Sequence, residues 1–318
     1  MATTTNITTT YAGESAGKYI AAALLSANTI ENGGVTVMPN IKYRSTMKKA
    51  NLSDIMVAGT CDFEPTDTIT LTERVLEPKE LQVNMQLCKK DFRDDWDAIS
   101  MGYSVYDNLP PSFQEWLISY VLGKVAQKNE TNIWQGVSTA TNGEFNGFQK
   151  LVTDGIASTD IPASNVVGTP VAIDASNVIN ELGRIVDAIP NRFYGDENLK
   201  IYAPQNVIRA YVRALGGFTS GIGAAGLNDQ GTTWYNGNAN ALTFDGVQLF
   251  MANGLESNKL IATTSENLFF GTGVENDANQ VKLIDMADID GSQNVRVIVR
   301  LTAGVNYGIG DDIVSYGL

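Results

Sequence analysis

The longest helical pattern in the chain runs from Leu109 to Gly136. Apolar residues recur there at steps of three and four, which is typical of a helix with one apolar face; they are Phe113, Trp116, Leu117, Tyr120, Val121 and Val125. Two prolines end whatever precedes this stretch, Ser112 and Glu115 have the spacing of a capping box, and Gly136 fits a C-terminal cap. About 23 helical residues would reach roughly 35 Å. We therefore predict a long helix that acts as a spine.

From Val35 the apolar period changes to two, which indicates strands. The first run reaches Met47 and contains Pro39, which favours the edge of a sheet. The apolar residues of two further runs are Ile69, Leu71 and Val75, and then Leu81, Val83, Met85 and Leu87. Because the turn sequence Glu77-Pro78-Lys79-Glu80 lies between these runs, we predict a long β-hairpin over residues 66–88. A lone hairpin is marginal in water, so this one must pack on its own domain or extend over a neighbouring copy.

The second half of the chain mixes helical and strand patterns. Helices are predicted over Asp174–Pro190 and after Pro204. The apolar face of the first comprises Val178, Ile179, Leu182, Ile185, Val186 and Ile189. Strands are predicted over 199–203, 242–252, 259–264 and 268–271, and a last hairpin pairs 281–289 with 294–303. Asp290-Gly291 supplies its turn, and Val295, Val297, Val299 and Leu301 supply its buried face.

Three stretches have no core pattern of their own. Residues 1–15 are polar and threonine-rich, and residues 18–27 form a short helix candidate. Residues 216–241 are rich in glycine and asparagine, and a loop of about 25 residues is longer than compact domains usually contain without a function for it.

Composition excludes several classes of protein. The chain has 318 residues and a formal charge of −13, which argues against a nucleic-acid-binding surface built from the whole domain and against docking on an anionic membrane. No apolar run approaches the roughly 20 residues of a membrane helix. Cys61 and Cys88 are too few for a disulfide framework or a metal cluster. Histidine is absent, which excludes Ser-His-Asp and Cys-His catalysis and histidine-containing zinc motifs.

Three short motifs carry little weight. Gly221–Gly226 matches GxGxxG, but a dinucleotide site needs a strand before it and a helix after it, whereas here a helix precedes and no helix follows. Ser45–Lys48 matches SxxK inside a strand and without its partner motifs. Asp288–Gly291 lacks the flanking ligands of a calcium loop. We therefore assign no catalytic, cofactor-binding or metal-binding residue.

One local group of cations stands out in this acidic chain: Lys42, Arg44, Lys48 and Lys49. It is either a solvated strand face, or a face that meets an acidic surface of a neighbouring subunit or lines a negatively charged interior.

The order of these elements resembles the major capsid proteins of tailed bacteriophages, which have the Hong Kong 97-type fold. The stretches that carry the resemblance are Val35-Thr-Val-Met-Pro-Asn-Ile-Lys-Tyr-Arg, Leu71-Thr-Glu-Arg-Val-Leu, Leu87-Cys-Lys-Lys-Asp-Phe-Arg, Leu109-Pro-Pro-Ser-Phe and Asn129-Glu-Thr-Asn-Ile-Trp-Gln-Gly. It is clearest from about residue 16 to 150 and covers the remainder by architecture.

The resemblance implies an α+β fold with five regions. They are an N-arm (1–50), an extended E-loop hairpin with its return segment (51–100), a P-domain with the spine helix (101–169), a mixed α/β A-domain (170–283) and C-terminal P-domain strands (284–318). It also implies inter-subunit contacts, for which the candidates are Lys42, Arg44, Lys48, Lys49, Glu77, Lys79 and Glu80. No asparagine matches a covalent crosslinking site, so none is assigned.

The function that the resemblance implies is a non-enzymatic shell subunit without a cofactor. Copies would form the hexamers and pentamers of an icosahedral head around double-stranded DNA, without sequence-specific binding, in the host bacterial cytoplasm and then the virion. A separate scaffold protein, a portal and decoration proteins would be its partners. An encapsulin-type shell around a cargo enzyme shares the fold and is the first alternative. A nucleotide-dependent enzyme using Gly221–Gly226 is the alternative from another class.

Overall fold

The structure of the protein is a computed structural model that describes residues 28–51, 58, 70–89, 111–139, 143–215, 242–273 and 280–318. The N-terminal arm predicted over 1–15, the helix predicted over 18–27 and the loop 216–241, with its GxGxxG match, lie outside the described residues.

The helices are α1 (Asn28–Glu31), α2 (Pro111–Gln135), α3 (Phe148–Ala157), α4 (Val178–Asp187), α5 (Gln205–Leu215) and α6 (Ala287–Asp290). The strands are β1 (Thr36–Met38), β2 (Ser45–Asn51), β3 (Thr70–Leu76), β4 (Lys79–Cys88), β5 (Val166–Val167), β6 (Leu199–Ala203), β7 (Thr243–Phe244), β8 (Val247–Met251), β9 (Leu260–Thr264), β10 (Leu268–Thr272), β11 (Gln280–Asp285), β12 (Asn294–Tyr307) and β13 (Val314–Tyr316). The described strands form a five-stranded sheet, a six-stranded sheet and a two-stranded ribbon.

The predicted spine helix is confirmed as α2, which has 25 residues and is about 37 Å long at 1.5 Å per residue. It begins at Pro111, which suits a first helical position because the amide that proline lacks would have no helical partner there. Ser112 therefore lies inside the first turn, and its prediction as the N-cap is wrong. At the other end the Gly136 amide donates to the Asn132 carbonyl at 3.1 Å.

The five-stranded sheet is organised around β12, which has 14 residues. Its first part pairs antiparallel with β11 on one side and β4 on the other, and its last residues pair with β10. The predicted final hairpin is thus confirmed in its pairing. Its predicted first strand, 281–289, is too long, because that strand ends at Asp285 and α6 occupies 287–290. Gly291, at φ 70°, ends α6 instead of forming a two-residue turn with Asp290. The apolar residues of β12 and β4 pack on α2 in a small core of Leu117, Val121, Val297 and Val299 with Val83, Leu87, Val125, Leu283 and Leu301 at its border.

The hairpin predicted over residues 66–88 is wrong. β3 pairs with β2, and β4 pairs with β12, so the two strands diverge at Glu77-Pro78. The physical reason is the length and chemistry of this connection. A two-residue hairpin loop needs a positive φ at its first residue, or at both, which usually requires glycine or asparagine. Glutamate followed by proline, whose ring fixes a negative φ, cannot form such a turn easily.

The alternating run from Val35 to Met47 is two strands rather than one. β1 lies at the edge of the five-stranded sheet, parallel to β10, as Pro39 predicts. After β1 the amides of Asn40, at φ 64°, and Ile41 still donate to the carbonyls of Gly273 and Thr272. Residues 42–44 then connect to β2, which begins the two-stranded ribbon. Lys42 and Arg44 are therefore on a connection, and the prediction that they share a strand face with Lys48 is wrong.

The six-stranded sheet has the order β5-β13-β9-β6-β8-β7, and its core includes the apolar faces of α4 and α5. The strand predicted at 199–203 and the helix predicted after Pro204 are confirmed. Ile179 is 49% exposed, so its assignment to the buried face of α4 is wrong. At 100° per residue it lies at the border of the stripe that Val178, Leu182 and Ile185 bury.

A second core joins the two sheets and the end of α2. Trp134 packs 5.3 Å, between ring centroids, from both Phe148 and Tyr202, and Tyr202 packs at the same distance from Phe250. Gly254 lies directly against the Glu130 backbone, because a Cβ added there would overlap the Glu130 carbonyl. None of the described helices is both long and apolar enough to cross a membrane.

We expect Gly254→Ala to lower the free energy of unfolding by about 1–3 kcal/mol, as overpacking usually does, because backbone rather than a flexible side chain blocks the added methyl. Gly183→Ala in α4 is the matched control, since a Cβ there meets nothing within 4 Å. This control should raise stability by about 0.5–1 kcal/mol. Urea unfolding measures both, and equal effects would contradict the close packing of Gly254 on α2.

Candidate assembly surfaces

The β2–β3 ribbon has one face on the body of the protein. Lys49 pairs with Asp311 at 2.6 Å, and Arg74 pairs with Asp160 at 2.6 Å. The guanidinium of Arg74 also stacks on the Tyr307 ring at 3.8 Å, and the Tyr307 hydroxyl donates to Asp160 at 3.0 Å. Burial is the main cause that raises the pKa of Tyr307 to about 12, so its hydroxyl remains a donor at neutral pH. These contacts fix the ribbon over the end of β12, the segment that follows it and the residues after α3.

The opposite face of the ribbon points to solvent and is partly apolar. Leu71 is 68% exposed and Val75 is 36% exposed. Between them in the ladder, Lys48 stands opposite Glu73, and both are exposed. Exposed apolar side chains with an opposite-charge pair between them are typical of a surface that binds another protein.

The residues predicted to make inter-subunit contacts do not form one surface in the structure. They are Lys42, Arg44, Lys48, Lys49, Glu77, Lys79 and Glu80. Lys49 has an acidic partner, Asp311, inside its own chain, so it does not require one on a neighbouring copy. Arg44 donates to the Tyr43 hydroxyl at 2.7 Å on the exposed connection that also carries Lys42. Glu77, Lys79 and Glu80 are exposed where the chain passes from β3 to β4. For these and for Lys48, an inter-subunit contact stays a prediction.

A basic sheet face went unrecognised at the sequence level. On β12, Arg296 and Arg300 are exposed on the side of the five-stranded sheet that faces away from α2. Their register partners on β4 are Gln86 and Gln82, and Asn84 lies between these two. The polar positions of the alternating runs contained this signal, but joining them required the long-range pairing of β4 with β12.

A groove of about 330 Å³ lies between α2 and β4. Leu81, Val83, Val121 and Val125 line it, and Lys124 and Lys128 stand at its border. No acid–base pair lies among its described lining residues, so it offers apolar contact and positive charge rather than a catalytic arrangement. No group of three or more potential metal ligands occurs in the described part of the chain.

A buried carboxylate connects α2 to the N-terminal end of the described chain. Glu130 is fully buried, and both the backbone amide and the hydroxyl of Thr29 donate to it. The Trp134 indole in turn donates to the Thr29 hydroxyl at 2.9 Å. Burial raises the pKa of Glu130, and the hydrogen bonds from Thr29 oppose that rise only in part. Glu130, Thr29 and Trp134 therefore form a hydrogen-bonded group, here called the Glu130 clasp, and its contribution to stability depends on whether Glu130 is protonated.

We expect Glu130→Gln to remove a loss of stability that the wild type shows as the pH rises from acid to neutral. Because the folded-state pKa is raised above the value of 4.5 for the free side chain, stability is lost as pH rises through the interval between the two values, at most about 1.4 kcal/mol per pH unit for one proton. Unfolding free energies from pH 4 to pH 7 measure this. Glu31→Gln, at an exposed residue two positions from Thr29, is the control, and an unchanged pH slope in Glu130→Gln would contradict the assignment.

The fold is that of phage capsid proteins. No family model matches the chain, and no curated protein matches it. Solved structures do: the capsid of a native GTA particle has 12% identity, covers 94% of this chain and 92% of its own, and has a TM-score of 0.60. A chain of Mycobacterium phage Cain has 11% identity, coverage of 93% and 91%, and a TM-score of 0.57. A chain of the satellite phage P4 procapsid has 10% identity, coverage of 91% and 96%, and a TM-score of 0.53. The resemblance that the sequence indicates is thus confirmed as a likeness of fold to phage capsid chains.

Proposed function

We propose that this protein is the major capsid protein of a tailed bacteriophage, and that its copies assemble into the hexamers and pentamers of an icosahedral head enclosing double-stranded DNA. The observation that carries the proposal is the likeness to capsid chains over more than nine-tenths of their length and of this one. The apolar outward face of the ribbon supports it, because the side chains of Leu71 and Val75 are exposed there.

The Hong Kong 97-type regions follow from this proposal. α2 and the five-stranded sheet correspond to the P-domain, and the six-stranded sheet with α4 and α5 corresponds to the A-domain. The extended E-loop corresponds to β2, β3 and the residues between them, because those two strands pair with each other. This assignment moves the loop from the expected region 51–100, with its predicted hairpin at 66–88, to about 45–76. Scaffold, portal and decoration proteins remain proposed partners.

Light scattering and negative-stain imaging of the purified protein, expressed alone and with its neighbouring genes, test the proposal. Closed shells tens of nanometres across, or discrete pentamers and hexamers, are the expected result. Packaged DNA inside them would support a phage head, and an enclosed enzyme would indicate an encapsulin-type shell instead. A monomer in every condition would refute both.

We expect Leu71→Asp with Val75→Asp to prevent assembly while leaving the monomer folded, because both side chains point to solvent and a carboxylate there would lose water only at an interface. We expect the amount of assembled protein, measured by sedimentation velocity, to fall at least tenfold. Ile179→Asp, at a 49%-exposed position on α4, is the control for the added charge. Normal shells from the ribbon variant would show that its outward face is not an interface.

A further inference from the structure

The outer edge of β4 lacks a partner strand in the described part of the chain. β4 runs from Lys79 to Cys88 and pairs with β12 over its whole length, and no described strand pairs with its other edge. An edge strand directs the N–H and C=O groups of every second residue outward, where another strand can bind them. The usual protections of such an edge are proline and charged side chains, and residues 81–88 contain neither. The edge is therefore able to accept an additional strand.

The groove of about 330 Å³ between α2 and β4 opens at this same edge. β4 contributes Leu81, Val83 and Met85 to the described apolar lining, whereas β12 contributes Leu301 alone, so the groove lies on the side of α2 that is nearer to the free edge. Met85 is 37% exposed, so α2 covers the apolar side of β4 incompletely. Because successive side chains of a strand point to opposite faces, every second side chain of a strand added to β4 would point into the groove.

Two buried amide oxygens of α2 lie along the groove without a hydrogen-bond donor. Asn132 is 1% exposed, and its Nδ2 donates to the Gly143 carbonyl at 3.2 Å, which leaves Oδ1 as an acceptor. Asn129 Oδ1 is also buried, and neither oxygen has a partner among the described residues. Both residues line the groove and, three positions apart, share one face of α2. Because a buried acceptor without a donor is destabilising, these oxygens favour an occupant that carries N–H or O–H groups.

The charge of the groove restricts the occupant further. Lys124 is exposed at the border and makes no ion pair among the described residues; its ammonium lies 6.0 Å from the centre of the Tyr120 ring. Lys128, one turn further along α2, is paired with Glu144. No carboxylate is among the described lining residues. Lys124 is therefore available to a carboxylate of the occupant.

We propose that the free edge of β4 and the groove together bind an extended segment of a second protein. The segment adds a strand to the five-stranded sheet, packs alternate apolar side chains between β4 and α2, donates hydrogen bonds to Asn129 and Asn132, and presents a carboxylate to Lys124. In strand addition of this kind, main-chain hydrogen bonds supply affinity and side-chain pockets supply specificity. The inference goes beyond the proposed shell function and does not depend on it, because every contact that carries it lies within one chain.

Two other occupants agree less well with these observations. The β4 strand of a second copy could pair antiparallel with this edge, but directly opposed residues then share a face, so both Lys124 side chains would lie on one side of the joined sheet. The β4 residues on that side include no carboxylate. An amphiphile such as a fatty acid would fill the apolar lining and reach Lys124, but its ionised head group and its chain have no donor for Asn129 and Asn132.

Peptide binding to the full-length protein tests the inference. The probe is a fluorescently labelled synthetic peptide in which threonine alternates with valine, leucine, asparagine and one glutamate, so that one face carries the apolar, donor and acidic side chains. We expect the peptide to bind and to slow hydrogen exchange in residues 79–88, because amides at the free edge become hydrogen-bonded. Methylation of one alternating set of its backbone amides should abolish binding, and methylation of the other set should not, since only one set faces β4.

A charge swap tests the role of Lys124. Lys124→Glu should weaken peptide binding at least tenfold, and replacing the peptide glutamate by lysine should restore binding to that variant. Arg209→Glu is the matched control, because it reverses an exposed cation on α5 that is not among the groove-lining residues. Equal binding of the glutamate peptide to the wild type and to Lys124→Glu would contradict the assigned carboxylate contact.

Three outcomes would overturn strand addition and leave the shell function standing. The first is that the peptide binds neither unassembled protein nor shells. The second is binding that neither set of methyl groups affects and that dodecanoate displaces, which would show that the groove holds an amphiphile. The third is slow exchange of residues 79–88 in shells without any peptide, which would show that a neighbouring copy covers the edge.

Discussion

The central constraint in this structure is the hydrogen bonding of β12 on both of its edges. A strand of 14 residues exposes backbone donors and acceptors along its whole length, and each must find a partner when buried. β12 meets this requirement with β4, β11 and β10, which come from three separated parts of the chain. Once these strands are in place, Val297 and Val299 form a surface on which α2 packs. The position of the ribbon also depends on β12, because β3 crosses it near Asn306.

The charges of the protein are separated rather than mixed. Several of the cations make pairs within the chain, such as Lys49 with Asp311 and Arg74 with Asp160, and these hold the ribbon against the body. Arg296 and Arg300 are exposed and make no ion pair with a carboxylate among the described residues. Exposed ion pairs contribute little each, about 0–1 kcal/mol, so charges alone do not hold a shell together. The apolar exposure of Leu71 and Val75 supplies the contact area that charged groups lack.

Local patterns in the sequence were sufficient to predict most elements but few of their partners. The spine helix, the strand at 199–203 and the β11–β12 hairpin follow from periodicity and from turn residues close in sequence. The pairing of β2 with β3, and of β4 with β12, joins residues far apart, and alternation alone does not reveal which strands meet. The error over 66–88 was avoidable, since Glu77-Pro78 cannot easily form the turn that a two-residue hairpin needs. The basic face was not predictable without the β4–β12 pairing, and the Glu130 clasp was not predictable without the long-range contact of Thr29 with α2.

The proposed assembly has a consequence for symmetry. A ring of five or six copies requires each copy to present one surface to the copy ahead and a different surface to the copy behind, which makes the interface heterologous. Such an interface closes into a ring when the rotation between neighbours divides a full turn, and otherwise continues as an open array. The outward face of the ribbon, on which Leu71 and Val75 are exposed, can supply one of the two surfaces. A five- or six-membered ring would then use each such face once.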